Sequence, residues 1–163
     1  MRRRSPLAAA ALLGSALAVS LTGCAIASPP AAPTTTEEAP VAEYGNLTAA
    51  LSAAVPRIVG VEGLSRSRNG LGERLSATLM LDSAEPFTAE ELDAVAHAIW
   101  RALPWEPNAI ALVAGVGATD GPEPVDLREA AAGLEPMGFT NVGQGGVSLF
   151  DMSARYGDWA APE

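Results

Sequence analysis

The clearest periodic pattern in the chain is an alternation of apolar and polar residues that begins at Arg74. The apolar positions of this segment are Leu75, Ala77, Leu79 and Leu81. Because successive side chains of a strand point to opposite faces, the alternation predicts a strand with one face in the core. The preceding segment, Arg57–Leu64, is predicted as a second strand, and the Asn69–Gly70 pair predicts a hairpin turn between them.

A helix with one apolar face is predicted after Thr88. Residues Thr88–Glu91 read TAEE, the pattern of a capping box in which the Thr hydroxyl and the Glu carboxylate each accept from a backbone N–H of the first turn. The apolar positions then recur at helical spacing up to Pro104, at Leu92, Val95, Ala96, Ile99 and Leu103. The same spacing predicts an outward-facing polar set of Asp93, His97 and Arg101.

Four further elements are predicted along the chain. Asn46 is a suitable cap for a short helix over the residues that follow it. The apolar run Ala109–Val116 predicts a buried strand, as expected for a central or parallel one. A second capping pattern at Asp126–Glu129 predicts a short helix that ends near Gly133. The last strand is predicted at Val147–Met152.

Two glycine-rich segments are predicted to be connections. Gly115–Gly121 has the spacing Gly-x-Gly-x-x-x-Gly, and Pro122 and Pro124 follow where a phosphate-binding helix should begin. The fingerprints of dinucleotide and P-loop sites therefore do not fit, and we predict a turn. The segment Asn141–Gly146 is predicted as a flexible connection before the last strand.

This order of elements predicts an α+β fold. We expect a two-layer sandwich, with a mixed sheet of about four strands and helices on one face. Three segments are similar to the ferredoxin-like soluble domain of cation-diffusion-facilitator transporters, namely Ile58–Gly70, Leu75–Asp82 and Thr88–Ile99. The similarity covers less than half of the chain and implies a ferredoxin-like fold. The multi-metal ligand set that such domains can carry has no counterpart in this sequence, so the resemblance implies no metal site.

The first 23 residues have the pattern of a secretory signal peptide. Arg2–Arg4 are followed by the uncharged run Leu7–Leu21, which is shorter than the roughly 20 residues that a membrane-spanning helix needs. The run ends in Leu21-Thr22-Gly23-Cys24, which resembles the lipobox of bacterial lipoproteins. The resemblance implies that Cys24 becomes the lipid-modified first residue of the mature protein and that Leu21, Thr22 and Gly23 are the recognition positions.

Two other interpretations of this N-terminus stay open. Ala25–Ala27 read AIA, an A-x-A site at which ordinary signal peptidase would release a soluble secreted protein. The segment would otherwise remain as an uncleaved anchor. After it, residues 24–44 are rich in Pro and Thr, which predicts a disordered tether that could extend to about 60 Å. We assign residues 45–163 to a single α+β domain.

The charge and the cysteine content of the chain exclude several kinds of partner and site. The chain has ten Arg, no Lys and nineteen acidic residues, so removal of Arg2–Arg4 leaves 7 − 19 = −12. This charge argues against nucleic acid as a partner and against electrostatic docking to an anionic bilayer. A single cysteine forms no internal disulfide and no cysteine-based zinc site. Attachment to a membrane would therefore depend on the lipid at Cys24.

Candidate catalytic groups are few. His97 is the only histidine, with Asp93 one helical turn before it as a potential hydrogen-bond partner, and we interpret His97 as a solvated surface residue. Carboxylates cluster on the capped helix and on a later loop, at Glu90, Glu91 and Asp93 and at Asp120, Glu123 and Asp126. We interpret the first group as support for the helix dipole and the second as a solvated loop. No catalytic residue, metal ligand or cofactor is assigned.

Two tryptophans complete the candidate residues. Trp100 and Trp105 are a possible partner-binding patch, because Trp is enriched at interface hot spots, and the alternative is packing at the margin of the core. The sequence thus predicts a lipid-anchored envelope lipoprotein at the outer face of the cell membrane. Its expected role is the non-catalytic binding or scaffolding of an unknown envelope protein or ligand. The alternatives are an extracytoplasmic carboxylate-dependent hydrolase and a metal-handling accessory protein.

Overall fold

A computed structural model describes residues 43–117 and 122–163. Along these residues the helices and strands alternate in the order α1 (Leu47–Ala54), β1 (Ile58–Asn69), β2 (Gly72–Leu81), α2 (Ala89–Ala102), β3 (Pro107–Val116), β4 (Glu123–Val125), α3 (Arg128–Ala132), β5 (Gly138–Gly143), β6 (Gly146–Phe150) and α4 (Met152–Tyr156). The predicted signal peptide, the lipobox and most of the predicted tether lie outside the described residues.

The strands form one mixed sheet in the order β1-β2-β3-β6-β5, with β4 paired to β3 beyond the end of β6. Strands β2 and β3 are parallel and are joined by α2, whereas the other neighbouring strands are antiparallel. This arrangement confirms an α+β fold with a mixed sheet. The expected count of about four strands is wrong, because the described residues form six.

The ferredoxin-like arrangement is not confirmed. That fold separates the two parallel strands of each βαβ unit by another strand. Here β2 and β3 are direct neighbours, with Leu75 beside Ile110 and Leu79 beside Ala114. The crossover helix α2 therefore closes an ordinary βαβ unit next to the β1–β2 hairpin.

The core lies between the helices and one face of the sheet. The predicted inward positions of β2, Leu75 to Leu81, are buried as expected, and Ile110 and Leu112 of β3 share their face. The predicted apolar face of α2 packs onto them. The predicted capping box is also present, because the Glu91 N–H donates to Thr88 Oγ1 (3.1 Å) and the Thr88 N–H donates to Glu91 Oε2 (2.9 Å).

The hairpin is longer than the sequence predicts. Strand β1 continues through the Ser-Arg-Ser-Arg segment to Asn69, which pairs with Gly72, so the turn consists of Gly70 and Leu71. Gly70 has a φ of +64°, in the left-handed region that glycine adopts without steric cost. The turn therefore lies one residue later than predicted.

The last third of the chain differs most from the prediction. The capping box at Asp126–Glu129 is wrong: α3 begins at Arg128, whose backbone N–H donates to Asp126 Oδ1 (2.9 Å). Part of the predicted flexible connection is β5, and the last strand ends at Phe150, after which α4 begins at Met152. Alternating apolar residues are sparse in these short elements, so periodicity alone did not reveal them.

Candidate functional site

The face of the sheet opposite the core carries small side chains. One row crosses all five strands of the main path, because Ser65 pairs with Ser76, Ser76 with Ala111, Ala111 with Ser148, and Ser148 with Thr140. None of the described helices contributes its buried side chains to this side of the sheet. We call it the helix-free face. Larger side chains lie on the same face beside this row, among them Met80, Val113 and Phe150.

A cavity of about 120 Å³ opens on this face where β3 meets β4. Seven residues line it, namely Thr78, Val113, Ala114, Gly115, Pro122, Pro124 and Gln144. Gly115 is required for this geometry, because a Cβ at this position would lie 2.9 Å from the Glu123 carbonyl oxygen and from Pro122 Cβ. The first glycine of the predicted turn thus permits β4 to approach β3, and residues 118–121 of that segment lie outside the described residues.

Gln144 reaches this cavity from a strained turn. It lies between β5 and β6 with a φ of +48°, flanked by Gly143 (+89°) and Gly145 (+73°). A left-handed conformation costs a non-glycine residue about 1–2 kcal/mol. Backbone strain of this kind is found at functional positions, which makes Gln144 a candidate binding residue. The sequence signal for this position is a glutamine inside a run of glycines. The sequence analysis predicts only a flexible connection for this segment.

The chemistry of the cavity favours binding of a single side chain. Its walls are mainly apolar, and the Thr78 hydroxyl and the Gln144 carboxamide supply hydrogen-bond donors and acceptors. Sites for drug-sized molecules typically enclose about 300–1,000 Å³, several times this volume. Among the described residues that line the cavity, none has an ionisable side chain. The exposed Val142 lies beside it, because a Cβ on Gly146 would be 3.0 Å from both Val113 Cγ2 and Val142 Cγ2.

A polar cluster joins α2 to α4 on the other side of the molecule. Asp93 accepts hydrogen bonds from Arg155 Nε (2.7 Å) and from the Tyr156 hydroxyl (2.6 Å), and the His97 ring stacks on Tyr156 with the centroids 5.0 Å apart. The Arg155 hydrogen bond lowers the pKa of Asp93 despite its partial burial, whereas burial and the Asp93 carboxylate raise that of Tyr156. His97 is exposed, as predicted. Asp93 was a potential hydrogen-bond partner of His97, but it accepts hydrogen bonds from Arg155 and Tyr156 instead.

Trp100 and Trp105 do not form an exposed patch. Their exposed fractions are 3 % and 9 %, and both rings belong to the core. Trp105 Nε1–H donates to the Glu43 carbonyl (2.9 Å), and the Arg66 guanidinium lies over its ring, 4.6 Å from the centroid. The hypothesis of a partner patch made by the two tryptophans is therefore wrong, and packing at the core, its alternative, is what the burial shows.

The predicted carboxylate groups have partners of their own. Glu91 pairs with Arg57 (2.8 Å); partial burial pushes the pKa of Glu91 upward, but the Thr88 N–H and Arg57 outweigh it and hold the pKa below its usual value. Asp126 is paired with Arg128, whose hydrogen bonds lower the pKa of Asp126 to about 2. Within residues 43–117 and 122–163, no group of three or more His, Cys, Asp or Glu side chains is arranged to hold a metal ion.

None of the helices in the described residues is both long and apolar enough to span a membrane. Comparison with protein-family models, with curated proteins and with solved structures finds no match to this chain. The function proposed below is therefore derived from the residues of this chain alone.

Proposed function

We propose that this chain is a lipid-anchored protein of the outer face of the cell membrane, whose globular domain binds a partner protein without catalysing a reaction. The partner surface in this proposal is the helix-free face, and a side chain of the partner occupies the cavity beside Gln144. In this proposal the lipid at Cys24 holds the protein at the membrane, and the recess beside Gln144 on the helix-free face is the binding position.

The observation that carries the binding role is the cavity with its strained glutamine. The walls of the recess between Val113, Pro122 and Pro124 are mainly apolar, and a partner side chain would cover this surface. Interface energy concentrates where an anchor side chain fills such a pocket and a rim excludes water around it. The small-residue row from Ser76 to Thr140 supplies that rim.

The binding role can be tested by capture of cross-linked partners from membranes. The change Val142→Arg places a long cation beside the cavity, and Gln144→Gly removes the carboxamide while retaining a residue that adopts the turn. Each change should weaken capture of the partner by at least about tenfold, as expected for a hot-spot position. The matched control is Ala132→Arg, which adds the same side chain at an exposed position of α3. Equal capture by all four proteins would refute this surface.

The lipid anchor rests on the position of the only cysteine at the end of the apolar run. A lipid-modified Cys24 at the mature N-terminus, found by mass spectrometry, would support the anchor, whereas an unmodified terminus at Ser28 would show cleavage at the A-x-A site. Cys24→Ala should move the protein out of the membrane fraction, and the control Ser20→Ala, just outside the Leu21–Cys24 motif, should not. High salt should not release the parent, because burial of acyl chains is not screened by ions.

A further inference from the structure

The tip of the β1–β2 hairpin has a charge opposite to that of the domain. The described residues contain seven arginines and sixteen acidic residues. Three of those arginines, Arg66, Arg68 and Arg74, lie within residues 65–74, where Glu73 is the single acidic residue. The hairpin end therefore has a local charge of +2 (3 − 1) in a domain whose described part sums to −9 (7 − 16).

The tip also presents an apolar side chain to solvent. Leu71, the second residue of the turn, is fully exposed. Its side chain therefore makes no buried contact that would explain a leucine at this position. The tip is braced from behind, because Asn108 Nδ2 donates to the Asn69 carbonyl (3.0 Å). Gly72 permits this contact, since a Cβ there would lie 2.5 Å from the side chain of Asn108. The hairpin thus holds Leu71 outward on a supported end.

The described domain begins beside the tip half of this hairpin. The Glu43 carbonyl accepts from Trp105 Nε1–H (2.9 Å), and Arg66 of β1 stacks on the same indole ring. Residue 43 is therefore held at the end of the sheet where the hairpin projects. The opposite end, at Glu123, lies one strand length away, about 30 Å for the ten residues of β3. A tether that precedes residue 43 would therefore join the domain at the hairpin end.

We infer that the hairpin tip docks on the anionic phospholipid surface of the membrane, with Leu71 in the interfacial layer and Arg68 against the phosphates. This inference rests on the proposed lipid anchor. One leucine and one free guanidinium bind weakly, and the net negative charge of the domain opposes docking of any other face. The tether changes this balance, because it keeps the tip at a high effective concentration near the headgroups.

The anchored protein can be probed with thiol chemistry. Lipid modification would consume the only cysteine, so Asn69→Cys and Glu123→Cys each add one free thiol at opposite ends of the sheet. Each variant is labelled with a fluorophore and reconstituted as full-length lipoprotein in phosphatidylcholine vesicles, with and without phosphatidylglycerol, that carry a headgroup-linked quencher. We expect strong quenching at position 69 in the anionic vesicles, weak quenching at 69 in the neutral vesicles, and little at position 123 in either.

Two further changes in the Asn69→Cys background test the contacts. Arg68→Gln should weaken the quenching equilibrium about fivefold, the usual contribution of one basic residue near an anionic surface, and Leu71→Ser should weaken it as well. Arg128→Gln is the charge-matched control at the far end and should leave quenching unchanged. Equal quenching at 69 and 123, or quenching at 69 that does not depend on phosphatidylglycerol, would overturn the inference. Free thiol in the unsubstituted parent would instead refute the lipid anchor itself.

Discussion

The Tyr156 hydroxyl of α4 donates a hydrogen bond of 2.6 Å to Asp93 Oδ1 of α2, across 63 residues of sequence. Arg155 Nε donates to the same oxygen at 2.7 Å. Two consecutive residues of a five-residue helix therefore fasten it to one carboxylate of the central helix. A helix this short has no stability of its own, so these contacts, with the burial of Met152, hold α4 in place.

Asp93→Asn should destabilise the fold by about 1 kcal/mol, because it removes the charge that both hydrogen bonds share while the pair is only partly buried. The matched control is Glu62→Gln on β1, whose exposed carboxylate makes no hydrogen bond or ion pair among the described residues. Urea denaturation of both variants measures the difference. A loss no larger than that of the control would mean that the Asp93 pair contributes nothing to stability.

The contribution of Asp93 should also depend on pH. Its folded-state pKa lies below the unfolded value of about 3.9, so the unfolded chain binds the proton first as pH falls. The stabilisation is therefore complete above about pH 5 and is lost as pH falls through the folded pKa. We expect the parent and Asp93→Asn to differ in unfolding free energy at about pH 6, and we expect this difference to shrink as the pH falls below about 3.9. A constant difference over this range would contradict the assignment.

Leu79→Ala should cost about 2–5 kcal/mol, because Leu79 is fully buried at the centre of the sheet and its truncation leaves a cavity. Ser76→Ala, on the opposite face of the same strand, should change stability by less than about 0.5 kcal/mol. Thermal melts followed by circular dichroism provide the measurement. Similar losses for the two variants would show that the two faces of β2 are wrongly assigned.

Trp105→Phe should release the start of the domain while preserving most of the ring packing. The change deletes the Nε1–H that donates to the Glu43 carbonyl, a neutral hydrogen bond worth about 1 kcal/mol. Hydrogen exchange of the segment around Tyr44 should become faster, whereas exchange in α2 should be unchanged. Unaltered protection around Tyr44 would show that this hydrogen bond does not hold the segment.

A fragment that begins at Glu43 should fold without the preceding residues, because the buried cluster starts at Tyr44. A shorter fragment that begins at Leu47 lacks Tyr44 and the Glu43 carbonyl, and its melting temperature should be lower. Circular dichroism and a cooperative melt distinguish the two fragments. An unfolded 43–163 fragment beside a folded full-length mature chain would place the domain boundary elsewhere.

The two proposed surfaces depend on residues to which the sequence analysis assigned no role. The residue type of Trp100 and Trp105 suggested a partner patch beside the alternative of core packing, and the burial of both rings shows the core packing. Gln144 and Leu71 carried no periodic signal. Their significance comes from a positive φ in one case and full exposure in the other, and neither quantity can be read from residue order.

The sequence by itself determined the elements whose signals come from residues close together in the chain. The alternation of β2, the capping box at Thr88 and the apolar face of α2 were all correctly predicted, because strand and helix periods and first-turn hydrogen bonds involve residues only two to four positions apart. Tertiary structure decided the rest. The strand order, the short strands β4 and β5, and the ion pair of Asp93 with Arg155 all depend on contacts between distant segments. Such contacts form when the buried faces of all elements are satisfied together, a condition that no short stretch of sequence contains.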